Sequence, residues 1–163
     1  MTFKTADLLD DNEDKAVQVV QPGFLAFGGK TRFSGRISTI KAHEDNSLVR
    51  EAVASDGNGQ VLVIDGGGST RCAMLGDLLA AKAVSNGWQG VVVYGLIRDS
   101  ADINTMDLGV RALGTIPLKS IKRGEGQRDL AVHFHDADFV PGHYLYADED
   151  GMIVSEQPLL GEG

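Results

Sequence analysis

Four charged residues in the middle of the chain suit carbon–carbon bond chemistry on a small acid. Asp77 is followed after twenty residues by Arg98 and Asp99, and Asp102 comes after two more residues. An arginine stays charged at any working pH and binds a carboxylate or a developing enolate through paired hydrogen bonds. Carboxylates are hard ligands for Mg²⁺ or Mn²⁺, directly or through water. An enzyme that breaks a bond next to a 2-oxo acid needs these parts: a clamp, a metal and a group that moves protons.

Two apolar runs and the helix between them would carry these residues to one edge of a sheet. Residues 61–64 and 91–94 are mostly β-branched, which is typical of strands buried on both faces. Residues 77–86 have a helical pattern that begins just after Gly76, with Asp77 near the N-cap. Strand, helix and strand at this spacing predict a right-handed βαβ unit with parallel strands. The start of the helix and the residues after the second strand then open onto the same edge.

The predicted helix start offers a place for an anion. The amide groups at 76–79 lie in the first turn and lack partners within the helix, so they suit a substrate carboxylate. From the residues alone a purely structural interpretation stays open, with Asp77 as a helix cap and Arg98–Asp99 as a surface pair.

The rest of the chain predicts short strands, one further helix and tight turns. Asn46 is a candidate cap for a helix over 47–54, and the 148–151 turn predicts a hairpin. The predicted outer strands are 17–20, 24–27, 35–40, 112–117, 130–134, 139–140, 144–147 and 152–155. The expected fold is a single α/β domain over 1–163, with a central parallel βαβ unit and a mixed β-sheet.

Composition narrows the class of protein. The 163 residues are 42% hydrophobic, with 21 glycines, one cysteine and a formal net charge of −8. The acidic balance argues against direct nucleic-acid binding or an anionic membrane as the main partner, because both need clustered Lys and Arg. A single cysteine excludes an intrachain disulfide framework and fits a reducing compartment. With no apolar N-terminal core and no apolar run of about 20 residues, we expect a cytoplasmic protein.

The spacing Asp-x20-Arg-Asp-x2-Asp resembles the motif of the class II 4-hydroxy-4-methyl-2-oxoglutarate aldolase family, whose members often also decarboxylate oxaloacetate. The segment Gly76-Asp77-Leu78-Leu79 and the glycine loop at 65–68 support the resemblance. It covers essentially the whole chain and extends to a sister group, the regulator of ribonuclease E activity A. Shared segments are Glu44-Asp45-Asn46, Gly124-Glu125-Gly126 and 142–148.

The resemblance implies a swivelling β/β/α fold assembled as a ring-shaped homotrimer with active sites at the subunit clefts. It also implies that the amides at 76–79 and the Arg98 guanidinium hold the pyruvate portion of the substrate. Asp99 would bind the Mg²⁺ or Mn²⁺ ion, and Asp77 would act through a water of that metal. Asp102 is a further candidate acting through water, and Glu156 or Glu162 of a neighbouring chain are candidates for another carboxylate.

The complete motif favours a metal-dependent lyase that acts on a small 2-oxo acid. The whole-chain likeness to the sister group keeps an alternative open: a protein-binding regulator that inhibits ribonuclease E.

Two other features have ordinary explanations. His133 and His135 alternate on a predicted strand, but no third ligand is spaced to complete a zinc site. The loop at 65–68 lacks the Lys-Ser/Thr ending of a phosphate-binding loop, so a backbone turn is the better interpretation.

Overall fold

The computed structural model describes residues 2–160 of the chain. The helices are α1 (Thr5–Asp11), α2 (Ser47–Val53), α3 (Asp77–Ser85) and α4 (Ser100–Ile103). The strands are β1 (Val17–Val19), β2 (Leu25–Phe27), β3 (Phe33–Lys41), β4 (Val61–Asp65), β5 (Ala73–Leu75), β6 (Gly90–Ile97), β7 (Gly109–Thr115), β8 (Gln127–Arg128), β9 (Val132–Phe134), β10 (Ala137–Phe139), β11 (Tyr144–Asp148) and β12 (Gly151–Ser155).

Four parallel strands, β3, β4, β6 and β7, form the centre of a mixed ten-stranded sheet. The main path runs β1-β12-β11-β3-β4-β6-β7-β2, with β5 beside β6 and β8 beside β3. The pairs from Val61 with Gly90 to Asp65 with Tyr94 align β4 and β6 in parallel. The predicted central βαβ unit is therefore confirmed as β4-α3-β6.

The sheet has a different covering on each face, which gives three layers. Helices α2 and α3 pack on one face through small and branched side chains: Val49, Ala52, Val53, Ala80 and Ala83. The β9–β10 hairpin and the curled β11–β12 hairpin cover the other face, mainly through Val132, Phe134, Phe139, Leu145 and Val154. Complete burial of a large apolar side chain contributes roughly 1.5–3 kcal/mol, so both faces stabilise the sheet. The expected α/β fold of the β/β/α kind is confirmed.

The sequence prediction fails where order depends on distant contacts. It omits α1, α4, β5 and β8, and it begins the 130–134 strand too early. Asp129 follows β8 with φ 63°, a left-handed conformation that ends that strand, and β9 begins only at Val132. Helix α1 forms because Leu8 packs against Tyr146 and Ile153 on the outer side of β11 and β12. Among residues 2–160, no helix has the length and apolar character needed to cross a membrane.

The capping of α2 also differs from the expectation. Asn46 occupies the N-cap position but makes no capping hydrogen bond with its side chain. Its Oδ1 atom is buried and has no hydrogen-bond partner in the described part of the chain. The cap comes instead from Asp45, whose Oδ1 accepts a 2.9 Å hydrogen bond from the amide of Ser47.

Candidate functional site

Strand β5 positions the start of α3 beside the end of β6. Ala73 and Leu75 pair in parallel with Leu96 and Ile97, and the amide of Arg98 donates to the carbonyl of Leu75 at 2.9 Å. Helix α3 begins two residues after Leu75, so its first turn lies next to the residues that follow β6. The sequence analysis missed β5, although the apolar run 72–75 between polar residues and a glycine was a usable signal.

The Asp99 carboxylate caps α3 from a distant part of the sequence. Gly76 is the N-cap residue of α3 and has no side chain to cap it. Asp99 Oδ2 accepts a 3.0 Å hydrogen bond from the amide of Asp77, the first residue of the helix. A negative charge at a helix N-terminus is favourable because the exposed amides carry partial positive charge. This contact joins two segments that lie 22 residues apart.

Gly76 fits this contact because the Asp99 carboxylate lies so close to it. An ideal Cβ at Gly76 would lie 2.9 Å from Asp99 Oδ2 and 3.3 Å from Arg98 Nε. The backbone of Asp99 turns sharply, with φ 58° and ψ 37°, a left-handed conformation that an aspartate adopts at a small energetic cost. This turn directs the carboxylate back toward α3, and Ile103 completes it by donating its amide to the Asp99 carbonyl at 2.9 Å.

Arg98 lies beside this carboxylate, and part of its guanidinium is open to a ligand. Its Nε atom is 3.9 Å from Asp99 Oδ2, and Nη1 donates to the carbonyl of Pro117 at 3.5 Å. The side chain is 40% exposed, so its other donors face solvent. The amides of Leu78 and Leu79 lie in the first turn of α3 and have no acceptor within the helix. A guanidinium and two open amides at one edge suit a small carboxylate.

A divalent cation fits the carboxylate at this edge. Within residues 2–160, Asp99 Oδ1 receives no hydrogen bond, whereas Oδ2 is engaged by α3. Asp77, Asp99 and Asp102 do not form a three-acid group in the described chain, and no such group of His, Cys, Asp or Glu occurs there. Mg²⁺ keeps several waters and usually takes one or two protein carboxylates, so the single carboxylate of Asp99 meets this requirement. The exposed carboxylate of Asp102, on α4, stays a predicted contributor.

Glu44 holds the long connection between β4 and β5. Its carboxylate accepts hydrogen bonds from Ser69 Oγ at 2.6 Å and from Arg71 Nε and Nη2, each at 2.7 Å. The bonds from Arg71 and Ser69 lower the pKa of Glu44 to about 2. Glu44 itself has φ 59°, and its carbonyl accepts the amide of Ile121 at 3.2 Å. The connection that leads to Gly76 is thus fixed at its middle.

Asp45 fixes a second loop in the same region. Its Oδ2 accepts the amides of Arg123 at 2.8 Å and Glu125 at 3.1 Å, while Oδ1 accepts the amide and hydroxyl of Ser47. Burial by itself would raise the pKa of Asp45, but these hydrogen bonds outweigh it and lower the pKa to about 2. The two shared segments of the sequence, 44–46 and 124–126, therefore meet through one carboxylate. Sequence reasoning found both segments but not their contact.

We expect Asp45→Asn to lower the free energy of unfolding by about 2 kcal/mol at pH 7, since the amide side chain keeps fewer of these bonds. The pKa of Asp45 lies below its unfolded value, so its stabilising effect is present above about pH 4 and is lost as the pH falls toward 2. Urea unfolding from pH 7 to pH 2 tests this, with the exposed Asp107→Asn as control. The expectation would be contradicted if the difference in unfolding free energy between Asp45→Asn and the unaltered chain stayed constant down to pH 2.

The two histidines do not form a metal site within residues 2–160. Strand β9 ends at Phe134, so His135 has left the strand; its Nδ1 lies 3.0 Å from the carbonyl of Gln21. His133 instead contacts Asp138 at 2.8 Å. Glu156 is exposed after β12, and Glu162 lies outside the described residues.

The glycine loop after β4 is a backbone turn. The amides of Gly66 and Gly68 both donate to the carbonyl of Tyr94 at 3.1 Å, and Gly67 donates to Asp65 Oδ1 at 2.9 Å. These amides are used within the chain, as the interpretation of the loop as a turn requires.

Fold and site together define a class of protein: a three-layered β/β/α domain with an arginine, an aspartate and a helix N-terminus at one edge of its parallel sheet. The chain belongs to the aldolase/RraA family, because the family profile described as RraA-like, Aldolase/RraA, matches residues 5–154.

Similar proteins carry three kinds of name. A protein of Laribacter hongkongensis is 59% identical over 98% of this chain and 100% of its own length, and one of Dechloromonas aromatica is 60% identical over 98% and 99%. Both have the provisional name 4-hydroxy-4-methyl-2-oxoglutarate aldolase. The RNA-processing inhibitor RraA from Thermus thermophilis has a TM-score of 0.94 and 41% identity, covering 99% of this chain and 97% of its own. A Geobacillus kaustophilus structure, named as an S-adenosylmethionine: 2-dimethylmenaquinone methyltransferase, has a TM-score of 0.95 and 48% identity, covering 99% of each chain.

Proposed function

We propose that the protein is a divalent-metal-dependent lyase that cleaves 4-hydroxy-4-methyl-2-oxoglutarate and related 2-oxo acids to pyruvate and also decarboxylates oxaloacetate. The observation that carries the proposal is the contact between Asp99 Oδ2 and the amide of Asp77, at 3.0 Å, with the Arg98 guanidinium beside it. It brings to one place a carboxylate with an oxygen left for a cation, a helix start with open amides and a permanent positive charge, which supports the proposal. The aldolase names of the relatives that are 59% and 60% identical agree with this chemistry.

Arg98 and the first turn of α3 are proposed to bind the substrate's 2-oxo acid end. The open amides of Leu78 and Leu79 donate hydrogen bonds to the carboxylate, and the Arg98 guanidinium binds the 2-oxo oxygen, where negative charge develops. Asp99 would hold Mg²⁺ or Mn²⁺, which when bound supplies further positive charge to the enolate. The guanidinium is planar and always protonated, so it stabilises this charge without a proton transfer.

The bond changes balance without an added oxidant or reductant. The hydroxyl at C4 loses its proton, which Asp77 is proposed to receive through a water molecule, and C4 becomes a ketone. The electron pair of the C3–C4 bond passes to the substrate's 2-oxo end and forms the enolate of pyruvate. Protonation of that enolate at C3, by the proton that the water and Asp77 took from the C4 hydroxyl, gives the second pyruvate. In oxaloacetate the same enolate forms as carbon dioxide leaves, which explains why one site serves both reactions.

The test is pyruvate release from oxaloacetate and from a small panel of 4-hydroxy-2-oxo acids, measured with Mg²⁺ or Mn²⁺ present. We expect turnover of oxaloacetate and of at least one hydroxy acid. A chain that is folded and metal-supplied but inactive on all of them would refute the proposal. The ranking of kcat/KM across the panel identifies the preferred substrate.

A second candidate is a regulator that binds and inhibits ribonuclease E. The observation in its favour is the 41% identity and 0.94 TM-score to the RNA-processing inhibitor RraA. The net charge of −8 suits a basic surface on a protein partner. A pull-down with purified ribonuclease E at physiological salt tests it. An unrelated acidic protein of the same net charge serves as the control. Retention of this chain but not of the control by ribonuclease E would support the regulator, and no retention of this chain would refute it.

We also propose that the chain assembles as a homotrimer. Several large apolar side chains remain exposed on the described protomer: Leu25, Leu78, Leu118 and Ile121. Leu78 is 76% exposed in the first turn of α3, so a neighbouring chain there would shield the site from water. Sedimentation equilibrium should give three times the 17.3 kDa chain mass. A monomer at micromolar concentration would contradict it.

A further inference from the structure

We propose that Gly76 is a positioning residue for the divalent cation, because the absence of a side chain there lets Asp99 cap α3 with one oxygen and offer the other to the metal. This inference rests on the proposed metal-dependent function. It assigns a role to a residue that contributes no ligand atom of its own. It also predicts that cation binding and the ordering of the first turn of α3 are coupled.

The space around Gly76 supports the first part. An ideal Cβ would lie 2.9 Å from Asp99 Oδ2, closer than real Cβ contacts, and 3.3 Å from Arg98 Nε. Gly76 has φ −129° and ψ −172°, an extended conformation that alanine adopts freely. A methyl group at this position would therefore act on the neighbouring carboxylate rather than strain its own backbone.

The backbone around Asp99 leaves the carboxylate as the part that must move. The amide of Arg98 is bonded to the Leu75 carbonyl at 2.9 Å, and the Asp99 carbonyl receives the amide of Ile103 at 2.9 Å. Both contacts hold the left-handed turn at Asp99 in place. A Cβ at position 76 would thus displace Asp99 Oδ2 from its position against the first amide of α3, and the orientation of the carboxylate would change with it.

Cation binding and the ordering of α3 are coupled because Oδ1 and Oδ2 of Asp99 belong to the same planar carboxylate. Oδ2 accepts the amide of Asp77 at 3.0 Å, and a cation on Oδ1 would fix the same group in the same orientation. Linkage is reciprocal, so whatever orders the carboxylate for the helix also favours the cation, and the reverse. A cation should therefore slow hydrogen exchange in the first turn of α3.

The experiment compares Gly76→Ala with Gly95→Ala in the full chain. Gly95 is a matched control on β6, since its ideal Cβ has no neighbour closer than 3.6 Å. Mn²⁺ affinity is measured by electron paramagnetic resonance, and amide exchange over 77–80 by mass spectrometry with and without Mn²⁺. We expect Gly76→Ala to weaken Mn²⁺ binding at least ~10-fold and to remove the Mn²⁺-dependent protection, while Gly95→Ala retains both. Circular dichroism establishes that each variant is folded.

Asp99→Asn provides a second variant that separates the two roles. The amide oxygen of asparagine still accepts the Asp77 N–H, but the neutral side chain is a poor ligand. In Asp99→Asn without Mn²⁺, the protection of the α3 amides from hydrogen exchange should stay near that of the unaltered chain, while Mn²⁺ binding is lost. Loss of protection without loss of Mn²⁺ binding would overturn the assignment.

The outcomes distinguish the inference from the proposed function. If the unaltered chain binds Mn²⁺ and Gly76→Ala binds it as tightly, the inference is wrong and the proposed function stands. If the unaltered chain binds no Mn²⁺, the metal-dependent function fails and the inference fails with it.

Discussion

Arg98→Ala is expected to lower kcat/KM for oxaloacetate at least ~100-fold, about 2.7 kcal/mol of transition-state stabilisation. Arg98 is the first residue after β6, and its Nε atom lies 3.9 Å from Asp99 Oδ2. This position is next to the first turn of α3. In the proposed reaction the guanidinium is the positively charged group of the protein that stabilises the negative charge of the developing enolate. With alanine at this position, only the cation and the helix amides remain to stabilise the negative charge of the enolate. Because that charge develops in the transition state, most of the loss should appear in kcat.

Two further variants show whether the effect belongs to the guanidinium. Arg98→Lys keeps the charge but loses the planar donor pair, so an intermediate rate is expected. Arg32→Ala serves as the control: Arg32 pairs with Glu149 at 3.1 Å just before β3 begins. Because β3, β4 and β6 are parallel, this pair lies at the opposite sheet edge from Arg98. Full activity of Arg98→Ala in a folded chain would remove Arg98 from the reaction.

Removal of divalent cations should abolish pyruvate release. Dialysis against EDTA is expected to reduce the rate to the protein-free background, and added Mn²⁺ or Mg²⁺ should restore it. The physical reason is that a dianionic substrate converted to an enolate carries more charge than a single guanidinium and two amides can stabilise. Asp99, with its Oδ1 free of hydrogen bonds from the described chain, is the residue through which we expect this dependence to act.

The chelation experiment needs two controls. A blank with the same cation and no protein measures the metal's own effect on oxaloacetate. Thermal unfolding with EDTA shows whether the chain stays folded, as expected from the apolar clusters that stabilise both sheet faces. Turnover that is unaffected by EDTA would rule out the metal-dependent mechanism and leave Arg98 and α3 to act alone.

The central βαβ unit could be predicted because its signals are local. Residues 61–64 and 91–94 are continuous apolar runs, and the buried face of α3 follows from the spacing of Ala80 and Ala83. Parallel strand geometry then requires the end of β6 and the start of α3 to share an edge. This was enough to predict that Arg98 and Asp99 meet the residues at 76–79.

The pairings that refine the site had no local signal, even though a short apolar run marks β5 itself. Strand β5 is three residues long and gains its hydrogen bonds from β6, which is distant in sequence. The hydrogen bonds of Glu44 with Ser69 and Arg71 span 25 and 27 residues, and those of Asp45 with the 123–125 loop span 78 and 80. No periodicity encodes such pairings. The roles of Asp77 and Asp102 toward a metal stay predictions.

The order of the residues by itself determined the layered α/β architecture, the acidic character and the meeting of two motif segments at one sheet edge. Only the tertiary structure decided how they meet. The left-handed turn at Asp99 and the lack of a side chain at Gly76 place a carboxylate on the first amide of α3. A hydrogen bond between residues 22 positions apart depends on angles and distances that accumulate over a helix and a strand, and those emerge only when the sheet is packed.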